Sequence, residues 1–201
     1  SFSIKAQGRD LDFGINGFVR ANIDNYEQGL DVFLQNDGKI ISVGTTAAHP
    51  IYADDFVAFV RYTYDGNLDT TYGDSGITKL SINNASQTFY YDGAFQSDEQ
   101  LIIGGQYGTN RYLSRLTNTG IIDTTFAENG VYDFTDDDDY YRDYFQLEVK
   151  NDDEIVVFRR YQATYASNYS YKLQQFSTEG EVDSIFGIDG SVEFELDTLF
   201  N

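Results

Sequence analysis

Leu68-Asp69-Thr70-Thr71-Tyr72-Gly73-Asp74-Ser75-Gly76 returns as Ile122-Asp123-Thr124-Thr125-Phe126-Ala127-Glu128-Asn129-Gly130. It returns again as Val182-Asp183-Ser184-Ile185-Phe186-Gly187-Ile188-Asp189-Gly190, and a shortened copy, Leu11-Asp12-Phe13-Gly14-Ile15-Asn16-Gly17, opens the chain. The closing glycines Gly17, Gly76, Gly130 and Gly190 stand 59, 54 and 60 residues apart. Self-similarity at such a period marks a repeat architecture and decides how the rest is read.

Two further landmarks keep step with this one. Gln35-Asn36-Asp37-Gly38-Lys39-Ile40-Ile41-Ser42-Val43-Gly44 matches the segment from Gln96 to Gly105 and, more loosely, Lys150 to Arg159. Phe59-Val60-Arg61-Tyr62 matches Leu113-Ser114-Arg115-Leu116 and Leu173-Gln174-Gln175-Phe176, each followed by a turn glycine at Gly66, Gly120 or Gly180. From Arg61 to Gly76, Arg115 to Gly130 and Gln175 to Gly190 the spacing is 15, and within the Gln35-type landmark it is 9. The connections between the landmarks change in length. Two connections per repeat are fixed and two vary.

Each repeat reads as four short strands, in the first unit about Phe18–Asn22, Gly29–Leu34, Lys39–Thr45 and Phe56–Thr63. The segments are rich in β-branched and aromatic residues and separated by turns such as Asn36-Asp37-Gly38. No window sustains a helical period, so the class is all-β. Four antiparallel strands in repeats of this length predict a β-propeller-like array of blades. The array would hold three full repeats (8–67, 68–121 and 122–181) and the first strand of a fourth, about Ser191–Leu196, within 182–201. Residues 1–7 read either as an edge strand or as the tail of a secretory signal peptide, with Ala6 at the small-residue position beside the cleavage point.

The combination Gln-x-Asp-Gly-Lys-Ile, an Arg-Tyr strand and Asp-Gly-x-Leu-Asp-x-x-Phe-Gly-x-x-Gly resembles the delta-60 repeat of secreted bacterial proteins. The resemblance covers residues 11–201 and is closest in the first repeat. In the third, Glu154 replaces the Lys and Gln175 the Arg. It implies a propeller-like, extracytoplasmic repeat protein with no assigned activity.

Closed rings hold about four to eight blades, so three units and a strand call for more, and the array is expected to belong to a larger ring. The ring is completed either by a longer protein or by assembly of copies of the chain. The absence of an initiating methionine and the break at Asn201 favour the longer protein.

Composition limits the function. The 201 residues carry 13 Lys+Arg against 33 Asp+Glu, a formal charge of −20. Such a charge repels phosphate backbones and anionic lipid, which argues against nucleic-acid and membrane-surface partners. No apolar run is long enough to span a bilayer. Seventeen Tyr and 16 Phe set the chain apart from a disordered acidic tail, and zero Cys removes thiol catalysis, cysteinyl metal sites and disulfides.

In a four-stranded antiparallel blade, alternate loops emerge at opposite ends. The fixed connections share one end and the variable ones the other: 23–29, 46–55, 83–88, 106–110, 136–143 and 161–168. Function concentrates on loops held by a rigid scaffold. Tyr52, Tyr107, Tyr140, Tyr141, Tyr161, Tyr165 and Tyr169 fall in or beside these loops, and tyrosine offers a ring and a hydrogen-bonding tip to peptides or sugars. The competing reading is that tyrosine is simply strand-favoured and abundant. Asp136-Asp137-Asp138-Asp139 is a candidate Ca²⁺ site by its oxygen ligands, set against a solvated acidic loop; the spacing is not that of an EF-hand. The recurring Asp69 and Asp74, with Gly73 and Gly76, read as turn-stabilising residues. His49, the single histidine, lies in a loop with no serine arranged for a triad.

The expectation is a non-catalytic secreted or cell-surface module that presents its variable loops to a protein or glycan, with self-association where copies complete a ring. No cofactor beyond Ca²⁺ is called for. The alternative is a polysaccharide hydrolase or lyase on the same scaffold, with Asp54, Asp55 or Asp136–Asp139 as acid and base.

Overall fold

The structure, a computed structural model, describes residues 10–23, 26–47, 56–85, 87–134, 144–161 and 170–195. Among them the chain is all-β, with twelve strands and no helix. β1 (Tyr26–Leu34), β2 (Ile40–Ala47), β3 (Phe56–Tyr62) and β4 (Ile77–Leu80) form the first sheet. β5 (Thr88–Phe95), β6 (Leu101–Tyr107), β7 (Asn110–Leu116) and β8 (Val131–Asp133) form the second. The third comprises β9 (Tyr144–Val149), β10 (Ile155–Tyr161), β11 (Ser170–Phe176) and β12 (Ser191–Glu195). Each sheet is an antiparallel meander in chain order.

These sheets are offset from the sequence repeat. The strand that follows each Asp/Gly junction turns back onto the strand before it: β4 pairs with β3, β8 with β7 and β12 with β11. The junction itself closes this return, since Asp69 N donates to Arg61 O and Arg61 N to Gly76 O. The segment expected as the first strand of a fourth unit is therefore the fourth strand of the third sheet. Residues 18–22, expected as a strand, form none; Phe18 makes a single bridge to Gly14.

Alternation of side chains across a strand explains the packing. Sheet two lies between the other two and is apolar on both faces. Leu101 and Ile103 of β6 enter a core with Ile41, Val43, Val57 and Phe59 of sheet one. Ile102, between them, enters a second core with Phe145, Leu147, Ile155 and Val157 of sheet three. Leu101-Ile102-Ile103 is thus an unbroken apolar run because neither face meets water. Each such fully buried side chain contributes on the order of 1.5–3 kcal/mol. Sheets one and three each have one face that no other described sheet covers.

Candidate functional site

At the fixed end of the strands, the recurring residues form a latch from each sheet to the next. Arg61 Nε donates to Asp69 Oδ2 at 2.9 Å, and Asp69 Oδ1 accepts from the Thr71 amide (3.1 Å) and hydroxyl (2.6 Å). Arg115, Asp123 and Thr125 repeat this at 2.8, 2.9 and 2.6 Å. Each guanidinium then crosses to the next sheet. Arg61 Nη1 donates to Asn118 O and Arg115 Nη1 to Thr178 O, while Arg115 Nη2 meets Glu179 at 2.7 Å. The backbone follows the same path: Gly73 N donates to Thr119 O at 2.7 Å and Ala127 N to Glu179 O at 2.8 Å. In the third unit Gln175 takes the arginine's place and donates to Asp183 at 2.8 Å.

A stack of rings accompanies the latch. The guanidinium of Arg61 lies 4.5 Å from the centre of Tyr72, and that of Arg115 lies 5.2 Å from Phe126. Both rings are fully buried and press against the turn glycines Gly120 and Gly180 of the following sheet. Burial works to raise the Asp69 and Asp123 carboxyls, but their threonine hydrogen bonds and the paired arginines outweigh it and hold both below the ordinary range. The same burial pushes the Tyr72 phenol up.

A second latch joins the β1–β2, β5–β6 and β9–β10 turns. Glu99 accepts from Asn36 N, and Asp153 accepts from Ser97 N at 2.7 Å. Both acids stand at positive φ, 67° and 65°, where Gly38 stands in the first turn at 83°. Sequence reasoning missed this pair: an acidic residue in a left-handed turn reads as a degenerate glycine, although Asp and Asn accept that conformation more readily than most.

The opposite end of the sheets carries every connection that varies in length. Of the sequence-predicted residues, Tyr52, Tyr140, Tyr141, Tyr165, Tyr169 and Asp136–Asp139 lie outside the described residues, as do His49, Asp54 and Asp55. Tyr161 is the last residue of β10, paired with Ser170. Tyr107 ends β6 with its ring turned into the core. Its hydroxyl donates to Asp133 and accepts from Asn83 Nδ2 at 3.0 Å, and burial, with the Asp133 hydrogen bond, raises its pKa. It ties a loop down and presents little to solvent.

Two tyrosines outside the predicted set are open to solvent, Tyr144 at this end of β9 and Tyr91 midway along β5. Tyr91 is 39% and Tyr144 41% exposed. Tyr91 is the extra residue of a bulge in β5, between Tyr90 and Asp92, and its hydroxyl donates to Gln106 at 2.8 Å. Its ring lies 6.1 Å from Phe145, the neighbour of Tyr144. A bulge displaces a side chain from its expected face, which is why alternation alone did not reveal Tyr91.

Asp92, the next residue after Tyr91, is half-buried and accepts from Leu147 N at 2.9 Å. Burial, with the nearby Asp31 and Glu148 charges, raises its pKa, while the Leu147 and Gly93 amides oppose the shift. Among the described residues no group of three or more acidic or imidazole side chains could hold a metal ion, and no helix is long and apolar enough to cross a membrane.

No protein-family profile matches the chain, and neither a curated protein nor a solved structure is significantly similar to it.

Proposed function

We propose that the chain is a non-catalytic, secreted or cell-surface binding module of β-propeller type, built from delta-60-like repeats, whose variable end receives a protein or glycan partner. The observation that carries this reading is the division of labour between the two strand ends. The recurring charged residues are consumed in sheet-to-sheet latches at one end, and all length variation lies at the other, where the exposed Tyr144 opens β9 and the Tyr91 hydroxyl reaches Gln106 near the end of β6. A rigid scaffold with connections of varied length at one end is the arrangement that binding modules use. Exposed tyrosines give such an end broad contact at low entropic cost.

The test is a panel of oligosaccharides and surface proteins, assayed for both binding and turnover. Saturable binding without turnover, weakened by Tyr91→Ala with Tyr144→Ala, supports the module. Polysaccharide cleavage lost on Asp→Asn substitution in the acidic loops would replace it with a hydrolase or lyase.

A further inference from the structure

The cavity between the fourth strands of sheets two and three is walled by residues that depart from the repeat, and we propose that it binds a neutral sugar unit. It lies beside the Val182–Gly190 junction, at the fixed end, so the inference does not rest on the reading of the variable end given above.

The departure is visible position by position. Arg115 and Gln175 are equivalent, so Tyr112 and Ser114 of β7 correspond to Lys172 and Gln174 of β11. The strand pairings agree: Tyr112 faces Asp133 and Ser114 faces Val131, as Lys172 faces Glu193 and Gln174 faces Ser191. Lys172 and Gln174 also pair with Arg159 and Val157 of β10, and Val157 belongs to the core shared with sheet two, so both turn toward that sheet. Between sheets one and two, the Tyr112 ring is fully buried in the core. Between sheets two and three, the same position carries the Lys172 ammonium, and it lines a cavity of about 640 Å³. Small-molecule sites occupy about 300–1,000 Å³.

The polar groups of the wall are held from behind. Gln174 is buried, and its Oε1 accepts from Arg159 Nη2 at 3.0 Å, so the amide nitrogen is the group it offers the cavity. Arg159 is buried as well, with its guanidinium 4.1 Å from the centre of the Phe134 ring. Toward solvent, Lys172 Nζ meets Glu193 at 3.2 Å, and Asp189 adds a second carboxylate. Ser191 contributes a hydroxyl and Tyr132, from sheet two, an aromatic ring.

An ammonium and an amide nitrogen only donate, a carboxylate only accepts, and a serine hydroxyl does both. The ligand that meets all of them carries several groups that both donate and accept, as the hydroxyls of a sugar do. The cations Lys172 and Arg159 balance the carboxylates Asp189 and Glu193, so a simple anion or cation meets repulsion as well as attraction. The charge of −20 on the chain further disfavours acidic and phosphorylated sugars. The Tyr132 ring suits the apolar C–H face of a pyranose, and its burial of that face adds to the hydrogen bonds at the sugar's edge.

Saturation-transfer NMR of the full chain with methyl glucoside, methyl galactoside and methyl mannoside, and with glucuronate as the anionic control, tests this. Saturable binding of at least one neutral glycoside, in preference to glucuronate, is expected. Lys172→Tyr restores the residue of the preceding sheet and is expected to weaken that binding by about tenfold or more. Glu193→Gln keeps the size and changes only an exposed acceptor, so it tests the site even where the first variant fails to fold; a loss of about threefold or more is expected. Binding of none of the neutral glycosides, preference for glucuronate, or affinity unchanged in both variants overturns the inference. Sugar binding that is lost in Tyr91→Ala/Tyr144→Ala and retained in Lys172→Tyr also overturns it, while supporting the variable end as the binding surface.

Discussion

The ring of Phe126 occupies the space that any side chain at Gly180 would need: a Cβ there would stand 2.4 Å from Phe126 Cζ. Tyr72 and Gly120 repeat the relationship one sheet earlier, at 2.6 Å. The recurring aromatic and the recurring turn glycine, 54 residues apart in one case and 48 in the other, are thus two halves of one contact between successive sheets.

Gly180→Ala and Gly120→Ala are each expected to lower stability by more than about 1 kcal/mol, through the steric conflict and the positive φ of 80° and 82°. Gly108 is the control. It also has positive φ, 51°, but nothing lies within 4 Å of a Cβ there, so Gly108→Ala is expected to cost less. Urea unfolding of the three variants checks the order.

Arg115→Leu removes the guanidinium that pairs with Asp123 and reaches Thr178 O, leaving a largely buried carboxylate without its cation. A loss of about 3–5 kcal/mol is expected, the range for breaking one side of a buried pair. Arg115→Leu with Asp123→Leu is expected to recover part of it. If the double variant is no more stable than the single one, the pairing is not the source of the loss.

Acid separates the carboxylates by sign. Asp69 and Asp123 have lowered pKa values, so the stability they contribute is complete above the unfolded carboxyl value, about 3.9, and is lost as pH falls through their folded values. Asp92 is raised, so its contribution runs the other way: it favours folding below the unfolded value and loses that contribution as pH rises through its folded one. Asp92→Asn removes this titration but can keep only one of the two amide hydrogen bonds that the carboxylate accepts from Gly93 and Leu147, so it is expected to gain on the parent as pH rises through the folded Asp92 value, whatever the constant offset between them. Thermal melts of both proteins across pH test it, and a variant that gains on the parent as pH falls would contradict the assignment.

Much of the scaffold was legible because its determinants are local. Asn36-Asp37-Gly38 and the Asp69-to-Gly76 junction carry their turn chemistry in their own residues, and fixed spacing revealed that they repeat. The pairing of the strand after each junction was not legible. Ile77–Leu80 is equally apolar whether it opens a sheet or closes one, and only the return across Arg61 and Asp69 decides it. The candidate site was read less well. Tyr107 has the composition of a loop-surface residue, but its partners, Asp133 and Asn83, lie 26 and 24 residues away in sequence. Tyr91 owes its exposure to a bulge that no alternation pattern contains.

The loop-end tyrosines are expected to be dispensable for folding. Tyr91→Ala and Tyr144→Ala remove part-exposed rings that each lie beside one aromatic neighbour, Phe145 and Phe158, so losses of about 0.5–1.5 kcal/mol apiece are expected, below that of the latch variants. A fall in melting temperature as large as that of the latch variants would show that these rings are structural.

On the proposed function, one end of the sheets holds the molecule together and the other meets its partner. It is tested most directly by measuring partner binding and melting temperature together, in Tyr91→Ala/Tyr144→Ala and in Arg115→Leu, at a temperature where both are folded. The first is expected to lose binding with only a small fall in melting temperature, and the second to lose more stability yet bind as the parent does. The reverse pattern, with binding lost at the arginine latch and retained without the tyrosines, would contradict it.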